Sequence, residues 1–257
     1  MSDNGAVRAA SRVLPYVLTA AVIVVVWEFV VIVTRPSEAV LPSPFEVATE
    51  FGLLSANGTL ESDALISVAR VTSAWILSAL IAIPLGLVMG TSRRFEAIID
   101  PFVELFRPIS PLAWIPLAIL WLGIGEAGKI MVVFVGTFFP LLLNTVAGVK
   151  NVDPTLLDAG KVFGCTTRAS LFRRVLLPAA LPGIVTGLRI AFGTGWAAII
   201  AAELVAARSG LGYLIANGMD VLRADEVLVG MIAIGILGVI FDAFFRFLHG
   251  RYSWDAG

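Results

Sequence analysis

Six apolar runs, each long enough to cross a bilayer, constrain this chain more than anything else in it. They occupy residues 14–33, 65–90, 102–122, 130–149, 181–204 and 227–248. A helix needs about 20 apolar residues to span hydrocarbon, whereas a membrane strand needs about ten in alternation. These runs are continuous, so they predict helices. Only 14% of the 257 residues are charged, against about a quarter in a soluble domain, which is too little charge to cover a globular surface. The first run is too long for a signal-peptide core and is read as a retained span. The expected fold is all-α and integral to the membrane, with six transmembrane helices in one domain over residues 1–257.

Basic residues set the expected orientation. With the N-terminus inside, Arg8, Arg12, Arg93, Arg94, Lys150, Lys161, Arg168, Arg173, Arg174, Arg246 and Arg251 face the cytoplasm, and only Arg35, Lys129, Arg208 and Arg223 lie outside. That bias follows the positive-inside rule and places both termini in the cytoplasm. Glu38, Glu46, Glu50, Glu61 and Asp63 make the first outer connection acidic. A net charge of −1, one cysteine (Cys165) and one histidine (His249) point to no nucleic-acid partner, disulfide framework or metal site.

One connection has more structure than a link needs. Residues 150–180, expected in the cytoplasm, read KNVDPTLLDAGKVFGCTTRASLFRRVLLPAA. Asp153 with Pro154 is a helix start, an N-cap followed by proline at the first helical position. Residues 155–163 then make two turns, and Gly164 suits a reversal because glycine tolerates positive φ. Thr166 or Thr167 caps a second short helix bounded by Pro178. The product is a compact knob of two short helices.

This segment resembles the EAA loop of ABC-importer permeases, whose pattern is Glu-Ala-Ala, three residues, Gly, nine residues, Ile, one residue, Leu-Pro. Asp158, Ala159, Gly160, Gly164, Val175, Leu177 and Pro178 occupy the corresponding places. Asp replaces Glu, Gly replaces the second Ala, and one extra residue lies between Gly164 and Val175. LPSP (41–44), SPLAWIPLAILWLGIGEAGKI (110–130), FFPLLLNTVAGV (138–149), PAALPGIVTGLRIAFGTGWAAIIAAEL (178–204) and SGLGYLI (209–215) are similar to the nitrate, sulfonate, taurine and bicarbonate branch of these permeases. The resemblance implies a type I importer permease in the bacterial cytoplasmic (inner) membrane, with two copies forming the translocation path. It also implies partner ATPase subunits that carry ATP and Mg, no cofactor in this chain itself, and a periplasmic or lipoprotein solute-binding protein. The knob would couple ATPase closure to the attached spans. Lipid is the remaining partner.

Ionisable groups at bilayer depth are functional candidates by default. Arg70 and Arg107 are expected to snorkel from span ends, with Glu104 on the same helix face as Arg107. Arg189, followed by Gly193, Gly195 and Trp196, either helps an anion along the path or pairs with Asp242 or Glu28. Glu203 belongs to an outer gate or pairs with Arg208. Pro108, Pro111 and Pro116 must bend the third span, which makes Ser110 and Trp114 further candidates for the path. Gly86 with Gly90, and Gly183 with Gly187, repeat at helix-contact spacing.

GIGEAGKI (123–130) matches two nucleotide motifs by letter, but each needs a strand before it and a helix after it. No paired aspartates or buried Ser–His arrangement supports an intramembrane enzyme, so the expected role is that of a transporter subunit. The energy-coupling subunit of a vitamin transporter is the alternative; it would show two long coupling helices.

Overall fold

The computed structural model describes residues 3–37 and 39–252, with side chains placed over 18–37 and 39–247. Glu38 and the side chains of Arg8, Arg12, His249 and Arg251 lie outside the described residues. Regular structure is entirely helical among them: α1 (Asp3–Thr34), α2 (Pro44–Ala56), α3 (Thr59–Thr91), α4 (Arg93–Phe106), a tight turn (Pro111–Trp114), α5 (Ile115–Leu122), α6 (Glu126–Lys150), α7 (Pro154–Val162), α8 (Arg168–Leu171), a π-turn (Phe172–Leu176), α9 (Leu177–Ala206), α10 (Leu211–Asp220) and α11 (Ala224–Tyr252).

Among the described residues, four helices are long and apolar enough to cross a membrane: Thr59–Thr91, Glu126–Lys150, Arg168–Ala206 and Ala224–Phe247. In α1, Leu18–Thr34 is a further apolar stretch. Residues 102–122, expected as one span, are instead the end of α4 and the whole of α5, bent by 82° at the break. Pro108 and Pro111 remove the backbone donors that would carry a helix through this region. Ser110 Oγ accepts from Leu112 N–H at the new start.

The chain forms two compact units, residues up to 61 with 214–232, and 62–213 with residues from 233 onward. In the first, Ser43 and Glu46 form a reciprocal capping box at the start of α2. Trp27 Nε1 donates to the Pro42 carbonyl at 3.0 Å, tying α1 to that turn. Arg223 gathers Glu50 at 2.6 Å, Asp225 at 2.7 Å and Glu226. Those carboxylates, Asp225 foremost, hold its guanidinium pKa above the ordinary value.

The second unit is organised by α6 against α9. Lipid tails are as apolar as leucine, so helices in a bilayer associate by close packing. Gly148 and Gly183 supply it: a Cβ on Gly183 would stand 2.6 Å from the Gly148 Cα. Asn144 and Leu141 fill the space beside Gly187 in the same way. On the adjacent flank of α6, Thr145 and Val149 pack into the gaps left by Gly86 and Gly90 of α3. Ala82, Met89, Leu141, Leu142 and Val146 form a core cluster there, and α4 lays Phe95, Ile99 and Val103 on it.

Beyond the knob, Pro178 does not bound a helix as expected. α8, the π-turn and α9 run on as one helical segment, Arg168–Ala206. Leu177 N–H reaches back five residues to the Phe172 carbonyl, and this wider turn precedes the proline that would otherwise clash with the carbonyl four residues back.

Replacing Gly183 with leucine is expected to lower stability by about 1–3 kcal/mol through overpacking. Gly235→Ala, where nothing lies within 4 Å of the new methyl, is expected to leave stability unchanged. Thermal unfolding of the purified protein in detergent measures both.

Candidate functional site

The knob is built as its sequence suggests. Asp153 Oδ1 accepts from Thr155 N–H at 2.8 Å, and Pro154 occupies the first helical position of α7. The Thr155 hydroxyl and N–H hold the Asp153 carboxyl below its ordinary pKa. The cap is therefore complete at neutral pH and is lost only as pH falls through that lowered value. Gly164 reverses the chain at φ +95°, a conformation that strains any residue with a side chain. Thr167 and Ser170 then cap α8 reciprocally.

Two of the matched positions form the joint of the knob. Gly160 is buried, and a Cβ there would lie 2.7 Å from Val175 Cγ2 and 3.1 Å from Leu171 Cδ1. Glycine at this position lets the second arm pack directly against α7. Asp158 is exposed and pairs with Lys161 at 2.7 Å. The tip is apolar and open, with Val162 84% and Phe163 88% exposed.

A buried charge network lies near the Ala206 end of α9. Glu203 is fully buried, and its partner is Arg70 of α3, not Arg208. Arg70 Nη1 donates to Glu203 Oε1 at 2.8 Å and to the Ser209 carbonyl at 2.7 Å. Its Nε and Nη2 form a fork on Glu126, both at 2.6 Å, and Nη2 also reaches Ser209 Oγ at 3.0 Å. Glu203 further accepts from Ser67 Oγ and Gly212 N–H. Arg70 is 6% exposed, so the expected snorkelling is overturned: its donors turn inward to partners that compensate burial.

Gly210 completes this arrangement. Its φ is +106° and a Cβ would collide with the Glu203 carboxylate, while its N–H donates to Asp63 Oδ1 at 2.7 Å. Lys129 is buried on Glu126 at 2.8 Å. Gly128 and Lys129 lie inside α6, and α5 rather than a strand precedes them, so GIGEAGKI lacks the architecture of a phosphate loop.

Arg189 is paired with Asp242, one of the two partners expected for it: Nε and Nη2 donate to Asp242 Oδ1 at 3.0 and 2.6 Å. Trp196 donates to the Ile234 carbonyl at 3.3 Å and packs against Phe241. Ser110 is exposed at the break between α4 and α5. Trp114, in the tight turn that follows, packs beside Phe106, and its buried indole N–H has no acceptor among the described residues.

Arg70→Leu should cost about 3–5 kcal/mol, because it strands Glu203 in a buried site. The double variant with Glu203→Leu should recover much of that loss. A thermodynamic cycle from thermal unfolding of the four proteins reads the coupling.

Residues 82–254 match the family model of the binding-protein-dependent transport system inner membrane component. A putative ABC transporter permease of Methanocaldococcus jannaschii is 38% identical, covering 90% of this chain and 88% of that one. The taurine transport system permease protein TauC of Escherichia coli is 37% identical over 91% of this chain and 87% of its own. The nitrate import permease protein NrtB of Synechocystis is 32% identical over 89% and 85%. Among solved structures, the inward-facing MetNI methionine ABC transporter has a TM-score of 0.63 at 20% identity, covering 73% of this chain and 93% of that chain, which shows a shared fold. The chain belongs to the binding-protein-dependent transport system inner membrane component family: it is the permease subunit of an ABC importer, not an enzyme.

Proposed function

We propose that this permease imports a small oxyanion by alternating access, as a homodimer resting on two ATPase subunits that carry ATP and Mg. An external solute-binding protein delivers the cargo. The relatives named for taurine, sulfonates and nitrate transport support this substrate class.

The observation that carries the reading is the open apolar tip of the knob. Val162 and Phe163 stand almost fully exposed at the end of α7, on a joint that Gly160, Leu171 and Val175 pack shut. A groove on an ATPase subunit is the occupant that fits, and burying such a side chain contributes about 1.5–3 kcal/mol. Asp158, Ala159, Gly160, Gly164, Val175, Leu177 and Pro178 then shape and orient the coupler rather than form the contact itself. Because α8 runs through the π-turn into α9, a push on the knob moves a whole span. On this reading the knob and both termini face the cytoplasm.

Glu203 belongs, on this reading, to the brace at the outer end of the path. Ser110 and Trp114 line the path at the broken third span. The energy-coupling vitamin-transporter alternative calls for two long coupling helices, whereas α7 has nine residues and α8 four.

Phe163→Asp is expected to weaken ATPase docking roughly tenfold or more, the equivalent of losing one apolar anchor. Gly164→Asp should abolish ATPase stimulation by the loaded binding protein. Co-purification and ATP hydrolysis in proteoliposomes test both; normal transport in these variants would remove the coupler assignment.

A further inference from the structure

Deep in the span, α9 and α11 share an ion pair that hydrocarbon cannot cover. Arg189 lies about 18 Å along α9 from Leu177 at 1.5 Å per residue, with about 25 Å of helix beyond it. Its side chain is 38% exposed and that of Asp242 is 41% exposed. Charges at that depth face protein or a watery cavity, not lipid.

The pair opens onto a cleft of about 60 Å³, well above the roughly 10–15 Å³ that one water needs. Phe192, Trp196, Phe241 and Phe245 wall it. Gly193 leaves it open, since nothing lies within 4 Å of a Cβ built there. At its mouth Asp242 is shared: Oδ1 holds Arg189, and Oδ2 holds Arg246 at 3.1 Å. Two guanidinium groups on one carboxylate leave an excess positive charge. Nη1 of Arg189 has no partner among the described residues.

Resting on the importer reading above, we infer that this cleft is a transient solute site for a small oxyanion on a short apolar stem, a sulfonate being the fitting class. The oxyanion takes the Arg189 Nη1 edge and the Arg246 guanidinium, in the planar geometry that suits such groups. The stem lies against the four aromatic rings. Asp242 is the counter-ion that holds Arg189 when the site is empty and yields when an anion arrives.

The test uses the purified permease–ATPase complex without binding protein and methanesulfonate as probe. Saturation-transfer NMR should show contact with its methyl protons, competed by nitrate and not by methylammonium. Arg189→Gln should weaken this binding at least tenfold, while Asp242→Asn should bind at least as tightly as the parent. A purely structural pair predicts equal loss in both variants, and that result would overturn the site. Independently, Gly193→Cys in a Cys165→Ser background should react with the anionic reagent 2-sulfonatoethyl methanethiosulfonate, and methanesulfonate should slow the reaction. An inert cysteine means that lipid or a second copy covers the cleft, which also defeats the inference. Stimulation of the same complex by loaded binding protein reports on the importer reading: a stimulated complex with a silent cleft sinks the site alone, and an unstimulated one sinks both.

Discussion

Everything in the larger unit depends on how closely two backbones approach. Between helices surrounded by lipid there is no hydrophobic gain from association, so contact must come from packing and from polar bonds across the interface. Gly148 and Gly183 let α6 and α9 touch with no side chain between them. From that contact, α6 presents Thr145 and Val149 to the gaps in α3, and α9 brings Glu203 to Arg70. A thicker residue at either glycine would move both consequences at once.

The two charge arrangements along α9 differ in kind. Around Glu203 every donor of the Arg70 guanidinium is used and the carboxylate is sealed from solvent. Fully satisfied networks of this sort rigidify and specify a single arrangement. Around Arg189 the pair is half open and one nitrogen is idle. One end of the helix is thus fastened and its middle is available. The proposed coupling, with α9 driven from the knob, calls for that division.

Much of this was legible beforehand, and the reasons for the gaps are physical. Long apolar runs announced α3, α6, α9 and α11, because hydropathy over about 20 residues is a strong signal. The capping residues Asp153 and Thr167 and the reversal at Gly164 were readable because each depends only on its neighbours. Three prolines foretold a break after α4, but not an 82° bend, which packing sets. Arg70 and Glu203 were misread because 133 positions separate them, and no local pattern links partners so far apart. Nearer charges misled: Arg208 stands five residues from Glu203, and Asp63 seven from Arg70. Val162 and Phe163, the most exposed large hydrophobic residues of the knob, carried a faint cue, two apolar residues beside a turn glycine.

The π-turn at residues 172–176 bears on an arithmetic puzzle in the loop that resembles the EAA pattern. The chain has one residue more between Gly164 and Val175 than the EAA pattern allows, and in a plain α-helix an insertion rotates all later side chains by about 100°. A turn that closes over five residues instead of four swallows the surplus locally. Leu177 and Pro178 begin the span directly after that turn, and Val175 meets Gly160. A length change that would otherwise have re-aimed the lever is confined to a single loosened loop of backbone.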